Sequence, residues 1–202
     1  MFYTKRFITA ITVFAFVSVS LMSQNYQVDN ANSQVKWTGE KILGKHYGTI
    51  NIKVGSLMMK NNKMTGVFDI DMNTIVSEDL KGDKASFDKL IGHLKSDDFF
   101  SVAKNPTATF NLRKADKYNP RKGENFNYML TGDLTIKGIT NEIRFPAKIE
   151  LNDKNLIANA DFTIDRTKWN VRYGSGSFFD NLGDKAIYDD IKFELLIKAK
   201  AN

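Results

Sequence analysis

Two-residue alternation from Leu130 to Ile164 constrains this chain more than any other feature of its sequence. Ile143, Phe145, Ala147, Ile149 and Leu151 occupy odd positions, with Glu142, Arg144, Lys148 and Glu150 between them and Pro146 as the one break. Successive side chains of a strand point to opposite faces, so the pattern makes one face apolar and the other wet. The stretch before sets Leu130, Leu134 and Ile136 against Thr131, Asp133 and Thr135. The stretch after aligns Leu156, Ala158, Ala160, Phe162 and Ile164. Lys137-Gly138 and Asn152-Asp153-Lys154-Asn155 separate the runs with residues that tight hairpins favour. The spacing predicts an antiparallel meander of three strands.

The rest of the chain extends it. Val35 and Trp37 alternate in a first strand, and Gly44 to Gly48 reads as the turn that follows. A second strand sets Ile50, Ile52, Val54 and Met58 against Thr49, Asn51 and Lys53, and Asn61-Asn62 then reverse the chain. The third places Phe68, Ile70 and Met72 inward, opposite Thr65, Asp69 and Asp71. Between Asp83 and Leu94 the period changes: Phe87, Leu90, Ile91 and Leu94 recur at helical spacing, with Asp83 or Ser86 as the cap. Ser96-Asp97-Asp98 opens a short turn carrying Phe99 and Phe100. Strands resume with Ala108, Phe110 and Leu112 inward, and Asn119 to Asn125 forms a polar loop. A long loop from Thr167 to Asp189 precedes the last strand, Asp190 to Lys200, which alternates through Ile191, Phe193, Leu195, Ile197 and Ala199. About eight amphipathic antiparallel strands and one helical insert predict an all-β fold. Closing the sheet on itself hides its apolar face and its edges, which favours a closed barrel over a two-sheet sandwich.

Lys5-Arg6 precede an apolar run from Phe7 to Met22 that ends among Ser18, Ser20 and Ser23. This reads as a secretory signal over residues 1–23, cleaved near Ser20 to Gln24, with a mature domain at 24–202. The run is shorter than the ~20 residues a membrane span needs, so no stable span is expected after its removal. Without Lys5 and Arg6 the chain keeps 27 basic against 23 acidic residues, a net charge of +4. These charges are interspersed along the strands, which marks a solvated face and not a nucleic-acid stripe.

Little in the chain suggests catalysis. There is no Cys, and no Ser stands in a G-x-S-x-G elbow. His46, read as part of a turn, and His93, off the helical stripe, have no ligand partners at metal spacing. Asp69-Ile70-Asp71 lacks the Gly and Glu of a calcium loop, and Asp97-Asp98 reads as a helix start. Gly174-Ser175-Gly176-Ser177 lacks the Lys of a phosphate loop. A non-enzyme without metal or cofactor is expected.

Three motifs carry a family resemblance. Leu94-Lys95-Ser96-Asp97-Asp98-Phe99-Phe100 followed by Pro106-Thr107-Ala108-Thr109-Phe110, the hairpin from Leu130 to Thr140, and Phe162 to Trp169 resemble signatures of YceI-like proteins in order and spacing. The chain departs at Asn170, where that family often has Gly, and in its long loop from Tyr173 to Asp184. The resemblance implies a lipocalin-like barrel holding a long-chain amphiphile, a polyisoprenoid or a fatty-acid derivative, in a periplasmic or secreted protein.

On that basis the inward set is the candidate lipid lining: Trp37, Phe68, Ile70, Phe110, Leu134, Ile136 and Phe145. Ala147, Ala158, Ala160, Phe162, Ile164 and Phe193 continue it, and Phe99 and Trp169 complete it. Small inner residues (Gly66, Ala108, Gly132, Ala147, Ala158 and Ala160) are expected to leave room. Arg166 and Arg172, with Lys168 beside Gly174-Ser175-Gly176, are the head-group candidates. The competing reading has Arg166 paired with Asp165 or Asp180 to pin the loop. The competing functions are a filled structural or interaction module and an isomerase or hydrolase acting on such lipids. Homodimer formation is left open.

Overall fold

The computed structural model describes residues 23–201, so the expected signal, Ser23 apart, lies outside the described residues. Nine strands follow in order: β1 (Gln24–Val28), β2 (Gln34–Lys41), β3 (Gly44–Lys60), β4 (Lys63–Ser77), β5 (Thr107–Lys117), β6 (Tyr128–Ile136), β7 (Ile139–Leu151), β8 (Asn155–Asp165) and β9 (Ile187–Ala201). One helix, α1 (Lys84–Lys95), separates β4 from β5, and a 3-10 turn at Arg166–Trp169 follows β8. Strands β3-β2-β9-β8-β7-β6-β5-β4 pair in that order, and β4 pairs back onto β3 to close the barrel.

Strand β1 was not expected. Gln24, Asn25 and Gln27 give it little apolar signal, and it is a strand because of its neighbours. It pairs with Ser56–Met59 of β3 and Ala199–Ala201 of β9, while β2 pairs with Gly44–Ile50 and Ile187–Leu196 of the same two strands. The two short strands therefore lie end to end in one of eight barrel positions. The β1 end forms the floor, and the β2–β3 hairpin lies at the mouth.

The meander forms as expected. Ile136 pairs with Ile139 across Lys137 (φ 53°) and Gly138 (φ 74°), the two left-handed residues that a type I′ turn requires. Asn61 and Asn62 (φ 53° and 60°) make the same turn between β3 and β4. Helix α1 is capped by Asp83, whose carboxylate accepts from the Ser86 N–H at 3.1 Å, and it buries Ile91 and Leu94.

Several local expectations require correction. The β2–β3 turn is the pair Ile42-Leu43, since Lys41 pairs with Gly44; residues 44–48 are strand. A register shift between Ile52 and Val54 flips the alternation of β3, turning Val54 and Met58 outward and Leu57 inward. Leu151, at the end of β7, is exposed. Gly66 and Gly132 do not border empty space. A Cβ on Gly66 would lie 2.7 Å from the Ser56 carbonyl oxygen, and one on Gly132 would lie 2.4 Å from that of Asn111.

The wall is not uniform. Strands β7 and β8 pair only between Lys148–Leu151 and Leu156–Asn159, on the floor side. Ala147 turns its carbonyl to the Asn127 N–H on the β6 side (3.0 Å), so Pro146 faces β8, where proline has no N–H to give. Toward the mouth, Phe145 and Phe162 stack across the unpaired interval with centroids 4.2 Å apart.

Candidate ligand-binding cavity

Every strand from β2 to β9 turns its apolar face inward, and the side chains do not fill the space. A cavity of about 250 Å³ remains. It runs from Glu40, His46 and Tyr188 at the mouth to Leu57, Met64 and Leu156 toward the floor. Leu90 and Leu94 of α1, with Phe99 and Phe100 just beyond it, cover part of the mouth. The expected lining residues meet here: all border the cavity except Ile164 and Trp169. Ile164 is packed core. Trp169 is 1% exposed, and its Nε1–H donates to the Leu134 carbonyl at 2.9 Å, locking the 3-10 turn to β6.

Tyr26 closes the floor. It is 1% exposed, and its hydroxyl donates to the Asn152 carbonyl of the β7–β8 turn at 3.2 Å.

The two arginines separate. Arg166 borders the cavity but is 2% exposed, and each of its nitrogens donates to a backbone carbonyl. Its Nη1 donates to the Val171 carbonyl (2.7 Å), Nη2 to Ile187 (3.1 Å) and Nε to Tyr188 (3.2 Å). Asp189 lies 3.3 Å from Nη2 as an ion pair without an aligned hydrogen bond. Burial pulls the guanidinium below its ordinary value, and Asp189 and Asp165 oppose that; it stays charged. Arg166 pins the loop, and its carboxylate partner is Asp189, neither Asp165 nor Asp180. Asp165 instead caps the 3-10 turn, accepting from the Thr167 N–H at 2.9 Å. Arg172 does not border the cavity; it is exposed, with its guanidinium 4.2 Å from the Phe178 ring centroid.

The polar residue that sequence reading set aside is His46. It lies within β3, borders the cavity, and its Nδ1 sits 2.8 Å from Asp79. The signal was present in its phase, since residues 46, 48, 50 and 52 fall on one face with the inward Ile50 and Ile52. Asp79 also accepts from the Tyr47 N–H (2.9 Å) and the Ser77 hydroxyl (2.8 Å). Burial raises the Asp79 pKa, but these bonds and the imidazole outweigh it and hold the carboxyl below its usual range. Ser77 bonds the carboxylate and not the imidazole, so this is not a nucleophile–base relay. Among the described residues no three His, Cys, Asp or Glu side chains gather as a metal site, and no helix is long and apolar enough to cross a membrane.

Residues 26–199 match the family model of the YceI-like domain. A UPF0312 protein of Pseudomonas aeruginosa is 28% identical over 141 residues, just under two thirds of each chain (66% of both). BcnA of Burkholderia cenocepacia superposes with a TM-score of 0.62 at 22% identity, covering 85% of this chain and 98% of that one. A polyisoprenoid binding domain from Saccharophagus degradans, implicated in plant cell wall breakdown, gives 0.60 at 14% identity, covering 88% and 98%. At such identities these two structures speak for a shared fold alone. The family model, by contrast, follows this sequence from within β1 to within β9, and the chain belongs to the YceI-like family.

Proposed function

We propose that this protein is an exported, non-enzymatic carrier that holds the apolar chain of an amphiphilic lipid inside its barrel. The observation that carries this reading is the cavity: about 250 Å³, continuous, and lined almost wholly by hydrocarbon. An apolar cavity of ~150 Å³ already stays dry and takes up benzene, and small-molecule sites begin near ~300 Å³. A chain laid along this lining gains roughly 0.8 kcal/mol per buried CH₂, so affinity needs few polar contacts. The volume suits one slender chain, and an isoprenoid of the class bound by the Saccharophagus domain fits that chemistry, as does a fatty-acid derivative. The Lys5-Arg6 start and the apolar run after it support export to a periplasm or medium. The His46–Asp79 pair, with no activated nucleophile beside it among the described residues, supports binding over catalysis.

Organic extraction of the mature protein followed by mass spectrometry tests the reading. A stoichiometric amphiphile is expected. Extracts that are empty after expression in several hosts would favour a structural module instead. N-terminal sequencing of exported material tests the address, with a start near Ser20 to Gln24 expected and an intact Met1 on a membrane-bound product against it.

A further inference from the structure

The mouth of the cavity holds two side-chain nitrogens, Trp37 Nε1 and His46 Nε2, that bond to none of the described residues. Trp37 is 7% exposed and borders the cavity, and its Nε1–H is buried with no acceptor among the described residues. A buried N–H is a strong donor whose desolvation goes uncompensated until something accepts from it. The other tryptophan shows the usual arrangement, since Trp169 Nε1 has the Leu134 carbonyl. His46 is the second group. A carboxylate only accepts, so the imidazole Nδ1 carries the proton toward Asp79, and in the neutral ring Nε2 is the nitrogen that presents a lone pair. No described residue bonds Nε2.

Register brings the two together. Trp37 pairs with Gly48 and Gly39 with His46, so Trp37 and His46 are diagonal neighbours on the inner face of β2 and β3. Such residues lie ~7–8 Å apart, within reach of one small group held between aromatic side chains. Gly39 sits beside them on the cavity wall, and a Cβ there would meet nothing within 4 Å, so the position opens onto free space.

We propose that Trp37 and His46 form the head-group subsite of the cavity, taking a neutral group that both accepts and donates a hydrogen bond. A terminal hydroxyl is the simplest such group: its oxygen accepts from Trp37 Nε1–H and its proton goes to His46 Nε2. The inference rests on the carrier reading and narrows it. Each nitrogen of Arg166 already donates to a backbone carbonyl, of Val171, Ile187 or Tyr188, and Asp189 at 3.3 Å balances its charge, which disfavours it as a phosphate site. Glu40 at the same mouth is paired with Lys192 at 2.7 Å. Lys41 borders the mouth and remains for an anionic head, so a phosphate is the competing ligand to test.

The chain has two tryptophans, so a ¹H–¹⁵N spectrum contains two indole signals, assigned with Trp37→Phe. Delipidated protein is titrated with dodecanol, dodecane and dodecyl phosphate. Dodecanol is expected to move the Trp37 indole signal downfield while the Trp169 signal stays, and dodecane to bind without that shift. Trp37→Phe and His46→Leu should each weaken dodecanol about tenfold and leave dodecane unchanged. Dodecanol that binds wild type and Trp37→Phe equally, with no indole shift, overturns the subsite and leaves the carrier reading standing. Dodecyl phosphate binding more tightly than dodecanol overturns the neutral-head assignment. If none of the three probes binds, the carrier reading fails and the subsite with it.

Discussion

The floor and the mouth of this barrel are built from the same alternating strands, yet they treat polar atoms in opposite ways. At the floor, Tyr26, Leu156 and Met64 are at most 2% exposed, and the buried Tyr26 hydroxyl has its acceptor. At the mouth, Trp37 Nε1 has none, and Ile42, Leu43, Tyr47, Tyr173, Phe178 and Phe179 stand exposed on the β2–β3 hairpin and the loop before β9, with Tyr188 exposed at the start of β9. A packed, satisfied end resists opening, and a rim of exposed apolar side chains beside a cavity suits exchange. The difference teaches that stability is concentrated where β1 completes the wall, and binding chemistry where the hairpin leaves it incomplete.

The sharpest way to break that contrast is Tyr26→Ala. Removing a fully buried ring from the floor should cost about 4 kcal/mol in denaturant unfolding; a loss below about 1 kcal/mol would show that the floor is not closed by this residue. Next comes Arg166→Met at the mouth, expected to cost about 3 kcal/mol because three backbone carbonyls and Asp189 lose their cation. Unchanged stability together with weaker binding of a phosphorylated lipid would return Arg166 to a head-group role.

Ala160→Phe probes the region between the two ends. Ala160 borders the cavity, so the added ring enters free space and should cost under about 1 kcal/mol in delipidated protein. Affinity for a fluorescent long-chain analogue should fall at least about tenfold, or 1.4 kcal/mol. A large stability loss with no ligand in either variant would mean a filled core. The smallest effect expected is on acid stability. Asp79, held below its ordinary value of 3.8, stabilises the fold fully above that pH and loses its contribution as pH falls through the lower folded-state value. Unfolding measured from neutral to acid pH should therefore show a shallower acid limb in Asp79→Asn, and a limb as steep as wild type would place the acid sensitivity elsewhere.

What could be read from sequence was whatever a short stretch decides for itself. The meander β6–β8, its Lys137-Gly138 turn and the stripe of α1 follow from local periodicity and turn chemistry, and they appear in the structure where expected. Most of the expected lining also borders the cavity, because within an unbroken run the inward phase follows from the strand's own alternation. What sequence could not settle depends on partners far along the chain. Strand β1 exists because β3 and β9 overrun β2 and offer it two edges, and the phase of β3 beyond Lys53 turns on a register shift against β4. Arg166 met Asp189 and the carbonyls of β9, and His46 met Asp79 thirty-three residues away. Whether a buried polar group is satisfied is decided by which backbone passes within about 3 Å of it, and that distance belongs to the closed barrel and to no segment of the chain.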